Sequence, residues 1–143
     1  MRLQGLKMIN FQIFKGQEFV LDGKSTIIFG VNGTGKSTVL AAVNFLNRVW
    51  INRLNPAQGR AFRAFSDDMV TVGEQELYIQ GEVALDGLKY PLLRMHARAV
   101  KNQRKSVPSY HNGNYAAFTE KFGELFLRDE AANMPIFVNY GTN

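Results

Sequence analysis

The run Gly30-Val31-Asn32-Gly33-Thr34-Gly35-Lys36-Ser37-Thr38 satisfies G-x-x-x-x-G-K-[ST] in full, and no other stretch constrains the chain as much. It follows the apolar Ile27-Ile28-Phe29 and opens a helical pattern, so it has the strand before it and the helix after it that a phosphate-binding loop requires. Gly30, Gly33 and Gly35 reach backbone angles closed to other residues, which lets successive N–H groups converge on an anion. Lys36 adds a positive charge for the outer phosphates, and Ser37 offers a hydroxyl to a magnesium ion. The helix that begins near Lys36 aims the positive end of its dipole at the same place. A turn that only joined strand to helix would need neither the lysine nor the two hydroxyls.

With 143 residues, 45% of them hydrophobic, the chain is long enough for one domain with a real core and short for a complete nucleotide-hydrolysing machine. It has no cysteine, which excludes a disulfide framework and a thiolate metal site. Met1 to Phe14 mixes polar and apolar residues and does not resemble a signal peptide, so the expected location is the cytoplasm. No apolar stretch approaches the roughly 20 residues needed to span a bilayer. The formal charge of +5 suits polyanionic partners, nucleotide or nucleic acid.

Taken in order, Leu3, Leu6, Met8 and Phe11 interleave with Arg2, Gln4, Lys7 and Asn10, the pattern of a half-buried strand with a slip in phase near Gly5. Lys15-Gly16 reads as a turn into Glu18-Phe19-Val20-Leu21, and Asp22-Gly23 closes that second strand, which makes an antiparallel hairpin. Ser25 to Phe29, with its unbroken apolar centre, suits a strand buried on both faces. From Lys36 onward Val39, Val43, Leu46 and Trp50, with Leu40 and Ala42 alongside, recur at helical spacing until Pro56 and Gly59. The aperiodic stretch 57–68 carries Arg60 and Arg63, which read as residues of a solvated loop ahead of the alternative that they reach a nucleotide or DNA. Leu77, Ile79, Val83 and Leu85 lead into Asp86-Gly87, and Tyr90 and Leu92 lead away, so a second hairpin is expected, with Pro91 near an edge.

The basic segment from Lys101-Asn102-Gln103-Arg104-Lys105-Ser106 through Gly113 reads as a surface loop, with nucleic-acid contact as the second reading, and Tyr110 and Tyr115 beside it read as core anchors ahead of base-stacking groups. A second helix is expected from about Asn114 to Ala132. Leu125-Phe126-Leu127-Arg128-Asp129-Glu130 has the look of an apolar strand ending in Asp-Glu, but Arg128 interrupts it and the spacing stays helical, so Asp129 and Glu130 read as a solvated helix end. Pro135 to Tyr140 reads as a buried strand. His96 and His111 stand in different elements without an acidic partner at ligand spacing, and neither reads as a metal ligand or a catalytic group.

The opening strand with Ile9-Asn10-Phe11, the second strand and then Ile28 to Thr38 resemble the N-terminal lobe of ABC-type ATPases of the SMC, RecF and OLD-like group. The closing Asn139-Tyr140-Gly141-Thr142-Asn143 is similar to a strand end in bacterial ATP-binding proteins of that group, several of them linked to phage defence. Gln12 stands where the group commonly has Arg or Lys. The resemblance implies an α/β fold, a partial P-loop NTPase core of the ABC lobe I type with an antiparallel β-subdomain, and a single nucleotide-binding lobe over residues 1–143. It also implies ATP and Mg2+ as ligands, held through a Walker A loop by Asn32, Gly33, Thr34, Gly35, Lys36, Ser37 and Thr38, with Ser37 on the metal.

The family completes its site with a Ser-Gly-Gly signature helix, an apolar strand ending Asp-Glu and a switch histidine, and this sequence contains none of them. The resemblance therefore implies no catalytic residue in this chain, and ATP hydrolysis only when a C-terminal lobe and a second ATPase head complete it. DNA or an effector nuclease is the implied further partner, in DNA repair or phage defence. The family also places a strand-end glutamine near the magnesium ion and attacking water. A strand over 135–140 in a parallel sheet would bring Thr142 and Asn143 to the edge that carries the loop, which makes Asn143 a candidate for that role.

Two other readings remain open. A small P-loop kinase would need acceptor-binding and lid arginines close behind the loop and no antiparallel hairpin ahead of it, whereas this sequence has the hairpin. A nucleotide-binding module without turnover is what a lobe of this kind becomes by default.

Overall fold

Period-two alternation of apolar residues builds the sheet on which everything else rests. The computed structural model describes residues 1–54, 65–99, 110–111 and 114–127. Its strands are β1 (Arg2–Phe11), β2 (Phe14–Val20), β3 (Glu76–Leu85), β4 (Leu88–Ala97) and β5 (Tyr110–His111). They lie in the order β2-β1-β3-β4-β5, with every neighbouring pair antiparallel. Along β3, Leu77, Ile79, Val83 and Leu85 fall on one face and are buried, as the alternation requires.

Strand β1 keeps its apolar residues inside only by breaking that period twice. The register against β3 shifts between Leu3 and Gly5, which is the slip expected near Gly5. At Asn10 the backbone takes a left-handed φ of 51°, and Phe11 then joins Leu6 and Met8 in the core.

The first hairpin forms, but its turn is Gln12-Ile13 rather than Lys15-Gly16. Phe11 pairs with Phe14, and Gly16 sits inside the ladder opposite Ile9. Gln12, at φ 51°, supplies the left-handed residue that a two-residue turn needs. Asp22-Gly23 closes β2 as expected, both residues left-handed, with the Lys24 amide donating to the Leu21 carbonyl at 3.0 Å. Asp86-Gly87 turns the second hairpin in the same way, directly between the paired Leu85 and Leu88. Pro91 lies beyond the two-residue partner β5, near the sheet edge as expected, and its carbonyl accepts from Asn114 Nδ2 at 3.0 Å.

Helix α1 (Lys36–Leu54) packs on the sheet with Val39, Ala42, Phe45, Leu46, Val49 and Trp50 buried, while Leu40 faces solvent. Its seat on β3 is Gly81, where an added Cβ would stand 2.6 Å from Leu46 Cδ1. Helix α2 (Asn114–Phe122) covers the far end, with Phe118 and Phe122 rings 5.3 and 4.8 Å from the ring of Trp50. Tyr115 is fully buried there, a core anchor as expected. The helix expected to reach Ala132 is α-helical only to Phe122; Gly123–Leu127 widens into a π-turn, at a glycine that favours helix poorly. The remainder of that expectation lies outside the described residues. No helix among the described residues is long and apolar enough to cross a membrane.

Residues 65–71 strap the end of β1 to β4. Phe65 is buried, Asp67–Met69 forms a short 3-10 turn and Val70 bridges Phe11. Arg94 of β4 is buried beneath the strap, with its guanidinium 4.6 Å from the Phe65 ring centroid, and Nη1 donates to the Phe45 carbonyl at 3.0 Å. Burial pulls its pKa down, yet a guanidinium keeps its proton. His96 meets Asp67, with Nε2 and Oδ1 2.8 Å apart, so the histidine has the acidic partner that sequence spacing did not show.

The expected strand over Ser25 to Phe29 does not form. Those residues have no regular structure, and Ile27 and Phe29 are 86% and 89% exposed. A run apolar on both faces becomes a strand only between neighbours on either side, and among the described residues none pairs with it.

Two predictions follow from this packing. Gly81→Val should force Leu46 from its seat and lower stability by roughly 1–3 kcal/mol, read as a drop in the urea midpoint; an unchanged midpoint would mean that α1 does not rest there. The hydrogen bond from His96 holds the Asp67 carboxyl below its ordinary value of 3.8. A depressed carboxylate stabilises above that value and ceases to as pH falls through the lower, folded one. Urea midpoints taken from about pH 5 to about pH 3 should therefore fall less steeply for Asp67→Asn than for the parent chain, and parallel slopes would refute the contact.

Candidate functional site

The glycine-rich loop enters α1 at its N-terminus, and the local sequence explains its shape. Gly33 and Gly35 have φ values of 85° and 91°, in the region that penalises any side chain. At Gly35 there is also no room, since a Cβ would lie 2.6 Å from Phe14 Cζ and 2.7 Å from Ile13 Cδ1. The β1–β2 turn is thus packed directly beneath the loop. Helix α1 starts at Lys36, and its first bond runs from the Val39 amide to the Gly35 carbonyl at 3.0 Å. Its first turn carries no acidic side chain, so nothing on the helix itself neutralises the positive end of its dipole.

Lys36 folds back over the loop. Its Nζ donates to the Gly30 and Val31 carbonyls at 2.8 and 2.7 Å, and Thr34 Oγ1 donates to the same Val31 carbonyl at 2.8 Å. The ammonium is therefore suspended over the turn by two neutral acceptors. Asn32, Gly33, Thr34 and Ser37 are exposed, Gly35 and Lys36 are half-buried, and Thr38 is buried. The hydroxyl of Thr38 donates to Gln12 Oε1 at 2.6 Å. Such a loop sets an ammonium and the exposed Ser37 hydroxyl around one turn at the N-terminus of a helix, a donor set suited to an anion.

Asn32 through Thr38 lie in this loop and the first turn of α1. Thr142 and Asn143, the strand expected over 135–140, the Asp129-Glu130 pair, Arg60, Arg63 and the 101–105 loop lie outside the described residues. Sequence reasoning missed the role of the strap. The Thr71 hydroxyl donates to the Gln12 carbonyl at 2.9 Å, and the Gln12 amide donates to the Met69 carbonyl at 2.7 Å. The one signal in the sequence was Gln12 itself, which stands where the resembled group commonly has Arg or Lys. Among the described residues no group of three or more His, Cys, Asp or Glu is placed to hold a metal.

Comparison with known proteins gives this geometry a family. The profile of the AAA domain family matches residues 5–81. The DNA replication and repair protein RecF of Clostridioides difficile (strain 630) is 28% identical over 96 residues, covering 66% of this chain and 23% of that protein. The chain thus spans about a quarter of the length of the curated relative it matches. A solved structure of the recombination mediator protein RecF-ATPrS in the RecFOR pathway superposes with a TM-score of 0.51 at 25% identity, over 66% of this chain and 24% of that one. A structure from work on ATP-driven dimerization and DNA stimulated activation of SMC ATPases gives a TM-score of 0.53 at 18% identity, over 85% of this chain and 78% of that one, a likeness of fold. With more than half of its length matched by the profile, the chain belongs to the AAA domain family, and its fold is that of a partial RecF- and SMC-like ATPase lobe.

Proposed function

We propose that the chain binds ATP with Mg2+ through Gly30–Thr38 acting as a Walker A loop, as the nucleotide-binding part of a RecF- and SMC-like ATPase that works on DNA. The observation that carries this reading is Lys36, whose ammonium hangs over the turn on the Gly30 and Val31 carbonyls. A lysine that served only to hold the turn would be an unusual choice where two carbonyls need one small donor, whereas a cation kept beside converging N–H groups is what an anion requires.

The residues fit the ligand. Gly33 has nothing within 4 Å of where its Cβ would be, so the turn is open on that side to a phosphate. In this reading the backbone N–H groups of Asn32 to Ser37 orient the phosphates, and Lys36 exchanges its carbonyl partners for phosphate oxygens. Mg2+ supplies neutralisation of the polyphosphate charge, and Ser37 lends it a hydroxyl ligand. The dipole of α1 adds to the attraction.

For what the ATPase does, the RecF relative is named for DNA replication and repair, and the SMC structure for ATP-driven dimerization and DNA stimulated activation. We extend both properties to the complete ATPase of which this chain would be part: a second head and DNA as partners. An effector nuclease and a role in phage defence rest on resemblance alone.

Two measurements test the reading. Calorimetric titration with MgATP should show Lys36→Ala binding about tenfold to a hundredfold more weakly, the loss of one charge-assisted contact; equal affinities would take Lys36 out of the site. Phosphate-release assays on the chain alone should show no useful turnover, because stabilising the transferred phosphoryl group requires donors on its far side as well as the loop. Lys36-dependent release near roughly 1 per second, an ordinary enzymatic rate, would overturn that expectation.

A further inference from the structure

Gln12 is the point at which three separate segments meet. Its amide donates to the Met69 carbonyl at 2.7 Å, and its carbonyl accepts from the Thr71 hydroxyl at 2.9 Å. Its side-chain Oε1 accepts from the Thr38 hydroxyl, in the first turn of α1, at 2.6 Å. The residue adopts a left-handed φ of 51°, which costs a non-glycine residue energy and persists only where the surroundings hold it. The next two residues, Ile13 and Phe14, are those that close on Gly35.

From this junction we infer that Gln12 is a positioning residue for the nucleotide site: by accepting the hydrogen bond of the Thr38 hydroxyl it holds the loop's helical end against the strap, so that loop and strap respond to nucleotide together. The inference rests on the proposed binding at Gly30–Thr38 and goes beyond it, since it concerns a residue that need not touch the ligand. A hydroxyl has one proton to give. While that hydrogen bond to Gln12 Oε1 is made, Thr38 meets a bound phosphate in a fixed rotamer, and any shift of Thr38 is passed to the Gln12 backbone and so to Met69 and Thr71.

Affinity for MgATP and hydrogen exchange at residues 67–72 test this, with melting temperature measured alongside so that misfolding is seen as such. Gln12→Ala should weaken MgATP about threefold to tenfold, the worth of one neutral hydrogen bond. Nucleotide should slow exchange at 67–72 in the parent chain and fail to do so in the variant. Thr38→Ser keeps the hydroxyl and should retain both effects; Thr38→Val should lose both. Combining Gln12→Ala with Thr38→Val should weaken binding no further than Thr38→Val alone. Additive losses, or nucleotide-dependent protection of 67–72 that survives Gln12→Ala, would overturn the inference while leaving binding at the loop intact. A parent chain that does not bind MgATP would overturn the functional reading and this inference together.

Discussion

The seating of α1 on the antiparallel sheet is the contact on which the rest of the structure depends. Phe45, Leu46, Val49 and Trp50 are each almost fully buried, and side chains of this size contribute about 1.5–3 kcal/mol apiece on leaving water. That energy fixes more than the core. Because α1 begins at Lys36, pinning the helix also pins the end of the glycine-rich loop. The helix can lie close enough only because β3 presents Gly81 beneath Leu46. A buried cation adds direction, since Arg94 reaches from β4 to the Phe45 carbonyl and sets α1 at one rotation relative to the strands.

What the sequence revealed and what it hid divide along the range of the interactions involved. The β3–β4 hairpin was legible in full, because alternation and Asp86-Gly87 act over a few residues and agree with each other. The loop was legible for the same reason: each of its glycines answers a local demand. The first hairpin's turn was misplaced because Lys15-Gly16 is the stronger local signal, while the real turn at Gln12-Ile13 is held by Met69 and Thr71, nearly sixty residues further along the chain. The Asp67–His96 contact spans 29 residues and could not be read from spacing. Gln12 was visible as a departure from the family's usual Arg or Lys, but nothing in the sequence said that Thr38 would be its partner.

The segment 25–29 shows the same division from the other side. Its composition prescribes a strand buried on both faces, and composition alone cannot supply the neighbours that burial needs. The consequence is that the loop is supported unequally. Its C-terminal limb, Gly35 to Thr38, belongs to a helix seated on the sheet and is tied to Gln12. Among the described residues its N-terminal limb, Gly30 and Val31, joins no ladder, and it accepts hydrogen bonds from Lys36 and Thr34 within the loop itself.

That asymmetry bears on how a ligand would bind. The same ammonium that would meet the phosphates also holds the N-terminal limb through Gly30 and Val31. In the proposed reading, a phosphate that drew Lys36 away would release those two carbonyls, so part of the attraction would go into replacing bonds that already exist, and the limb would be ordered by contacts between its own N–H groups and the ligand. The helical limb needs no such reordering, being fixed beforehand by α1 and the β1–β2 turn. Affinity in this chain would thus depend on preorganisation at Gly35 to Thr38 and on ligand-induced order at Gly30 to Asn32. Strands packed on either side of Ile27 to Phe29 would shift that balance by fixing the second limb in advance, and would strengthen binding without adding a single contact to the nucleotide.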